Sequence, residues 1–176
     1  AEKKDLARLV AGMFIVTPFA LILLAQASSD FYRYSVSILS LSLLVLVGAG
    51  IRYKGRLNPL IIFSVGGLGG LTGGLTGIPG PPVILLYVAS SNPISVIRAN
   101  NLLFLYFFDV CVVLFFLFTG VLTLKLVLLG SLLAVPNFLG NFLGAKFFNP
   151  QKTNQYRLFA YIIIATAAIS GLPVWD

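Results

Sequence analysis

Residues 66–83 read GGLGGLTGGLTGIPGPPV, eight glycines and three prolines in a chain that is 59% hydrophobic and 10% charged. The apolar run that opens at Leu60 enters this stretch with the composition of a membrane helix. Pro79, Pro81 and Pro82 then remove three amide donors, and Gly77 and Gly80 permit sharp backbone angles, so no continuous helix can pass through. Residues 60–91 therefore read as two helices broken at IPGPP. The second, VILLYVASS, is too short at nine residues to cross a bilayer alone. The chain either crosses as a broken helix or enters and returns as a re-entrant hairpin.

Around this break the sequence is built for lipid. A soluble domain carries about one charged residue in four, and a spanning helix needs about 20 largely apolar residues because its backbone must satisfy itself internally. Leu6–Ala25, Tyr34–Ile51, Ala99–Gly120, Leu126–Ala145 and Tyr156–Leu172 each meet that length. The expected fold class is all-α, a polytopic helix bundle that passes repeatedly through the cell membrane, with the bilayer as its main partner. A net charge of +7 in such a chain reflects loops on one side of the membrane rather than a nucleic-acid surface, since no basic patch is interleaved with aromatics. Cys111, the one cysteine, reads as a small core hydrophobe.

Positive charge chooses between the two paths. If residues 60–91 cross, Lys3, Lys4, Arg8, Arg52, Lys54, Arg56 and Lys125 face Arg33, Arg98, Lys146, Lys152 and Arg157 across the membrane, seven against five. If they return, the balance becomes ten against two, and the positive-inside rule prefers the hairpin.

Two helices look alike. GMFIVTP at Gly12–Pro18 matches GSLLAVP at Gly130–Pro136, with glycine and proline six apart in both, and Tyr32-Arg33 precedes the second helix as Tyr156-Arg157 precedes the last. Under the hairpin count the two copies run in opposite directions, the inverted repeat that many secondary transporters use for alternating access. The expected organisation is then residues 1–52 as the last two helices of a first repeat, 53–59 as a cytoplasmic loop, and 60–176 as a second repeat. The opening AEKKDLARLV lacks an initiator methionine, and the first repeat's own hairpin is expected upstream of Ala1.

The stretch GGLTGIPGPPVILLYVAS, the arginine-led IRANNLLFLYF and the glycine-rich NFLGNFLGAKFF together resemble the sulfite exporter TauE/SafE family of membrane permeases. That resemblance implies two related halves and a substrate that is sulfite or another small, often sulfur-containing anion, usually exported. The usual family length exceeds 176 residues.

Candidate site residues follow from the same elements. Gly66, Gly70 and Gly74, and likewise Gly69, Gly73 and Gly77, recur every four residues and read as small faces that let helices approach closely. The turn differs, because irregular backbone at membrane depth must be satisfied by protein or by a wet cavity. Pro81 and Pro82 suit the first turn of a following helix, whose positive end can hold an anion without a dedicated cation. Gly77, Pro79, Gly80, Pro81 and Pro82 are therefore candidate substrate-binding residues. Downstream, Arg98, Asn101 and Asp109 share a sector of one helix, with Asn100 at its border. Arg98 either recruits anions or marks the cytoplasmic helix end. Asp109, deep in an apolar span, is expected to face the bundle interior and is the candidate for proton coupling. Asn137 and Asn141 lie in a small, amide-rich stripe with Gly130 and Ala134, where amides either donate to an oxyanion or join helices. Tyr87 offers a hydroxyl to the cavity or anchors at the interface.

Absences narrow the chemistry. There is no histidine and no companion for Cys111, which leaves no metal-ligand pattern, and neither the Walker nor the dinucleotide fingerprint occurs. No catalytic triad or buried carboxylate pair can be drawn, so no cofactor and no enzymatic activity are expected. The reading that emerges is a secondary transporter of a small anion; the alternatives are a passive anion channel and a non-transporting membrane subunit.

Overall fold

A computed structural model describes residues 3–49, 58–88, 94–147 and 153–174 of the 176. Arg52, Lys54, Arg56 and Lys152, most of the expected 53–59 loop and the last residues of the expected hairpin lie outside them, as does the side chain of Arg157. The described chain is entirely helical: α1 Lys3–Gln26, α2 Ser29–Gly48, α3 Pro59–Thr76, α4 Gly80–Val88, α5 Ile94–Phe118, α6 Leu124–Phe147 and α7 Thr153–Ser170. Among the described residues, four helices (α1, α3, α5 and α6) are long and apolar enough to cross a membrane. The expected break is there. Asn58 caps α3, accepting a hydrogen bond from the Ile61 amide at 2.7 Å with Pro59 in the first turn, and α3 ends on Gly77.

Gly77 has φ +75°, a left-handed conformation that an L side chain adopts only at a cost, and its amide bonds the Gly73 carbonyl at 2.7 Å. The backbone then doubles back. Pro79 lies beside Gly69 and Gly73, one to two turns below the end of α3, and α4 continues the return. At 18 residues α3 is about 27 Å long, and α4 at nine residues about half that.

Contacts fix the directions of the neighbours. Leu9, Met13 and Thr17 of α1 meet Gly66, Gly70 and Gly74 in that order, so α1 and α3 run parallel; Phe104 and Phe108 of α5 meet Gly69 and Gly73 in order, so α5 is parallel too. A chain that had crossed once between α3 and α5 would place them antiparallel. The interface of α1 and α3 is bare backbone on backbone: a Cβ on Gly66 would collide with the Leu9 carbonyl, and one on Gly12 with the Phe63 carbonyl. Such approach lets many weak dispersion contacts accumulate where lipid supplies no hydrophobic drive between helices.

The core sits where α4 drops into the groove of the parallel trio. It comprises Leu9 and Met13 of α1, Ile62 of α3, Val83, Leu86 and Tyr87 of α4, and Phe104, Phe108 and Cys111 of α5. On the flank, α2 and α7 pair antiparallel: Arg33, near the start of α2, donates from Nε to the Gly171 carbonyl at 3.1 Å, just past the end of α7. A cation placed on the final carbonyls of a helix also meets the negative end of its dipole. In contrast, the side chains described for α6 are exposed throughout.

Candidate functional site

The hairpin turn stands between two cavities that share α2 as a wall. One, of about 290 Å³, is bounded by Ile78, Pro81, Ile84 and Leu85 of the hairpin, by Ser40, Leu43 and Leu44 of α2, and by Tyr161 and Ile164 of α7. The other, of about 430 Å³, lies between Tyr34, Ser35, Ile38 and Ser42 of α2 and Leu71, Thr72, Leu75 and Thr76 of α3. Both are mainly apolar, with hydroxyls as their polar groups. Thr72 Oγ1 donates to the Gly69 carbonyl at 3.3 Å and Thr76 Oγ1 to the Thr72 carbonyl at 2.7 Å, so those protons are already used. Ser35, Ser40 and Ser42 make no hydrogen bond among the described residues, leaving hydroxyl donors on the α2 side.

Each expected site residue can now be placed. Gly77 is exposed at the turn, Pro79 and Gly80 are buried under it, and Pro81 and Pro82 form the half-buried first turn of α4. That turn is a poorer anion cradle than a general helix N-terminus. Proline occupies two of its first positions, so the donors left there are the amides of Gly80 and Val83, both buried. An anion at this break would draw on the dipole of α4 and on the α2 hydroxyls more than on a ring of amides.

On α5 the inward edge is Asn100, Phe104, Phe108 and Cys111. Helical geometry turns Arg98 and Asp109 about 125–145° away from the middle of that edge, and both are exposed. The expectation that Asp109 faces the bundle interior is therefore corrected for the described residues: the glycine notches of α3 admit the phenyl rings of Phe104 and Phe108, and these rings orient the helix. Asn101 sits at the margin, half-buried, with its Oδ1 sealed from solvent and without a hydrogen-bond partner.

Asn137 and Asn141 are not brought to the hairpin. They lie exposed on α6, where Asn141 Nδ2 donates to the Asn137 carbonyl at 3.0 Å and to its Oδ1 at 2.6 Å.

The structure places two groups that the sequence left open, Tyr87 and Asn100, and adds Thr17 and the α2 serines. Tyr87 is 2% exposed and buried in the core, not at an interface, and its hydroxyl accepts a hydrogen bond from Asn100 Nδ2 at 3.1 Å. Asn100 is also 2% exposed, and its Oδ1 has no partner. Thr17, fully buried against Gly70, is a third polar side chain with an unpartnered oxygen. Each such orphan costs about 1–3 kcal/mol in an apolar interior. The α2 serines were legible as SVSILSLS, hydroxyls spaced through an otherwise apolar span, with Ser35 and Ser42 two helical turns apart on one face. Asn100 had no such signal beside Asn101.

A family model described as Sulfite exporter TauE/SafE matches residues 1–171 of the chain. No curated protein and no solved structure matches.

Proposed function

From the premise that the chain belongs to the sulfite exporter TauE/SafE family, integral membrane transporters of sulfite and related anions, we propose that it is a secondary transporter that exports a small anion, bound where the hairpin turns at Gly77–Pro82. The observation that carries this reading is the turn itself. A segment long enough to span a membrane stops on a left-handed glycine and doubles back, with a hydroxyl-bearing cavity on either side. Non-helical backbone within a membrane must be buried in protein or line a watery path, and the two cavities beside the turn favour the second.

The dipole of α4 and the hydroxyls of Ser35, Ser40 and Ser42 would receive the anion, with Asn101 beside the returning arm and Arg98 drawing anions toward the mouth. Two further features support alternating access by an inverted repeat. The sequence pairs α1 with α6 and α2 with α7, and α2 runs antiparallel to α7, as an inverted pair must. In that arrangement Asn137 and Asn141 belong to the copy of α1 and would reach the path in another conformation of α6. Asp109 would carry the coupling proton.

Proteoliposomes holding the full protein should move labelled sulfite in response to an imposed pH gradient, with saturation that a passive channel lacks. No flux with any small oxyanion sinks the proposal. Asp109→Asn should abolish the pH-gradient dependence while leaving exchange of anion for anion in place. Arg98→Cys and Arg52→Cys should be modified by an impermeant thiol reagent from the same side of the membrane, and labelling from opposite sides would reject a hairpin that returns.

A further inference from the structure

The face that α2 turns toward α7 carries a line of polar side chains. Arg33, Ser37, Ser40 and Leu44 recur at spacings of four and three, so they share one sector of the helix. Ser40 and Leu44 wall the 290 Å³ cavity together with Tyr161 and Ile164 of α7. One turn out, Ser37 is 1% exposed, and a Cβ added to Gly171, just past α7, would come within 3.2 Å of its Oγ. One turn further, Arg33 holds the same segment, with Nε on the Gly171 carbonyl at 3.1 Å and Nη2 reaching the Leu172 carbonyl at 3.5 Å. On this side the way to the cavity is covered by a turn of backbone that a guanidinium latches. Arg33 also stands at the height of the hairpin turn. Ala20 and Leu21 of α1 meet Gly74, α1 ends at Gln26 and α2 starts back from Ser29, so Arg33 in its second turn returns to about the level of Gly77. Lys3, Lys4, Arg8 and Arg98 stand near the starts of helices parallel to α3 and lie toward its other end.

We propose that Arg33 is the cation that admits the anion at the turn's end of the path, and that the segment Gly171–Leu172 is the plug it latches; this rests on reading the cavity as part of an anion path. Charged acceptors bind a guanidinium roughly twice as strongly as neutral ones, and two oxygens of an oxyanion match its fork, so an arriving anion competes with the two carbonyls for Arg33. Release of those carbonyls frees the turn after α7 and uncovers Ser37. The anion then meets Ser40 about 10 Å further in, along the same face of α2. Arg98 serves the opposite end in this scheme, which gives the path one arginine toward each end.

The test is thiol modification of Ser40→Cys in the purified full protein, with Cys111→Ala removing the native thiol, by two methanethiosulfonates of similar size, one bearing a sulfonate and the other a quaternary ammonium. With Arg33 in place the anionic reagent should react about tenfold faster, at the low end of electrostatic steering. In Arg33→Gln the cationic reagent should gain speed as both latch and repulsion go, and the ratio should fall close to one. Arg33→Lys keeps the charge but not the fork, so it should keep the anionic preference. Loss of a merely structural cap on α7 would speed both reagents alike and leave the ratio where it was. An unchanged ratio in Arg33→Gln, a ratio lost equally in Arg33→Lys, or no reaction at Ser40→Cys with either reagent would overturn the proposal. Should Arg33→Gln not fold, equal rates for the two reagents with Arg33 present would overturn it on their own. Because modification needs no flux, selective reaction in a protein that moves no anion would count against the transporter reading alone.

Discussion

Helices α3 and α6 are both glycine-bearing and mainly apolar, yet they stand in opposite conditions. In α3 the place of every missing side chain is taken: Leu9 and Thr17 of α1 press on Gly66 and Gly70, and Phe104 and Phe108 of α5 press on Gly69 and Gly73. In α6 a Cβ added at Gly130, Gly140 or Gly144 would meet nothing within 4 Å. The difference extends to the matched heptapeptides, where Gly12 is locked against the Phe63 carbonyl and its counterpart Gly130 is open. Glycine in a membrane helix is thus an opportunity for close approach that only a neighbour of the right shape converts into energy. The open face of α6 pairs that opportunity with Asn137 and Asn141, on the helix that the proposed repeat would make the counterpart of α1.

The largest expected break of this contrast is Gly66→Leu. A side chain there must push aside the α1 backbone, not a flexible group, so we expect a loss of about 3 kcal/mol, read as a fall of about 10 °C in the melting temperature of the purified protein. The same change at Gly130 should move it by less than about 2 °C. Equal effects at the two sites would dissolve the comparison. Next in size is the turn. Gly77→Ala meets no atom within 4 Å but must hold φ +75°, so it should cost about 1 kcal/mol, whereas Gly140→Ala, in open helix, should change stability in the favourable direction by up to about 1 kcal/mol. The opposite signs, measured side by side, sharpen the point that α3 and α6 use glycine differently. The smallest effect is expected for Asn141→Ala. Its bonds to Asn137 are exposed and within one helix turn, worth about 0.2–0.5 kcal/mol, so stability should hardly move. A large fall in anion flux from that variant would mean that α6 supplies the path through its amides, and unchanged flux would leave the stripe to packing.

Much of this was legible along the chain because it depends on local chemistry. Three prolines and an unstrained left-handed glycine stop a helix wherever they stand, and 18–25 apolar residues make a span in lipid with or without neighbours. The helix limits shifted modestly: α5 begins at Ile94 rather than Ala99, which places Arg98 inside the helix. Which way α5 faces could not be read, since a helix that is apolar all round carries no periodicity to orient it. The sequence set Asn101 and Asp109 in one sector with Asn100 only at its border and expected Asp109 inside; the rings of Phe104 and Phe108 seated on glycine decided instead that Asn100 goes inward and Asp109 outward.

The amino-acid order alone therefore settles that this protein is a helical membrane protein of the TauE/SafE family with a break at Gly77–Pro82, because backbone satisfaction in lipid is a local demand that composition meets residue by residue. Only the tertiary structure decides that the chain returns beside α3, that α1 occupies one glycine face and α5 the other, and that a polar pair lies in the core. Those outcomes depend on which surfaces meet, and close packing rewards shape between segments far apart in the chain, which no local pattern encodes.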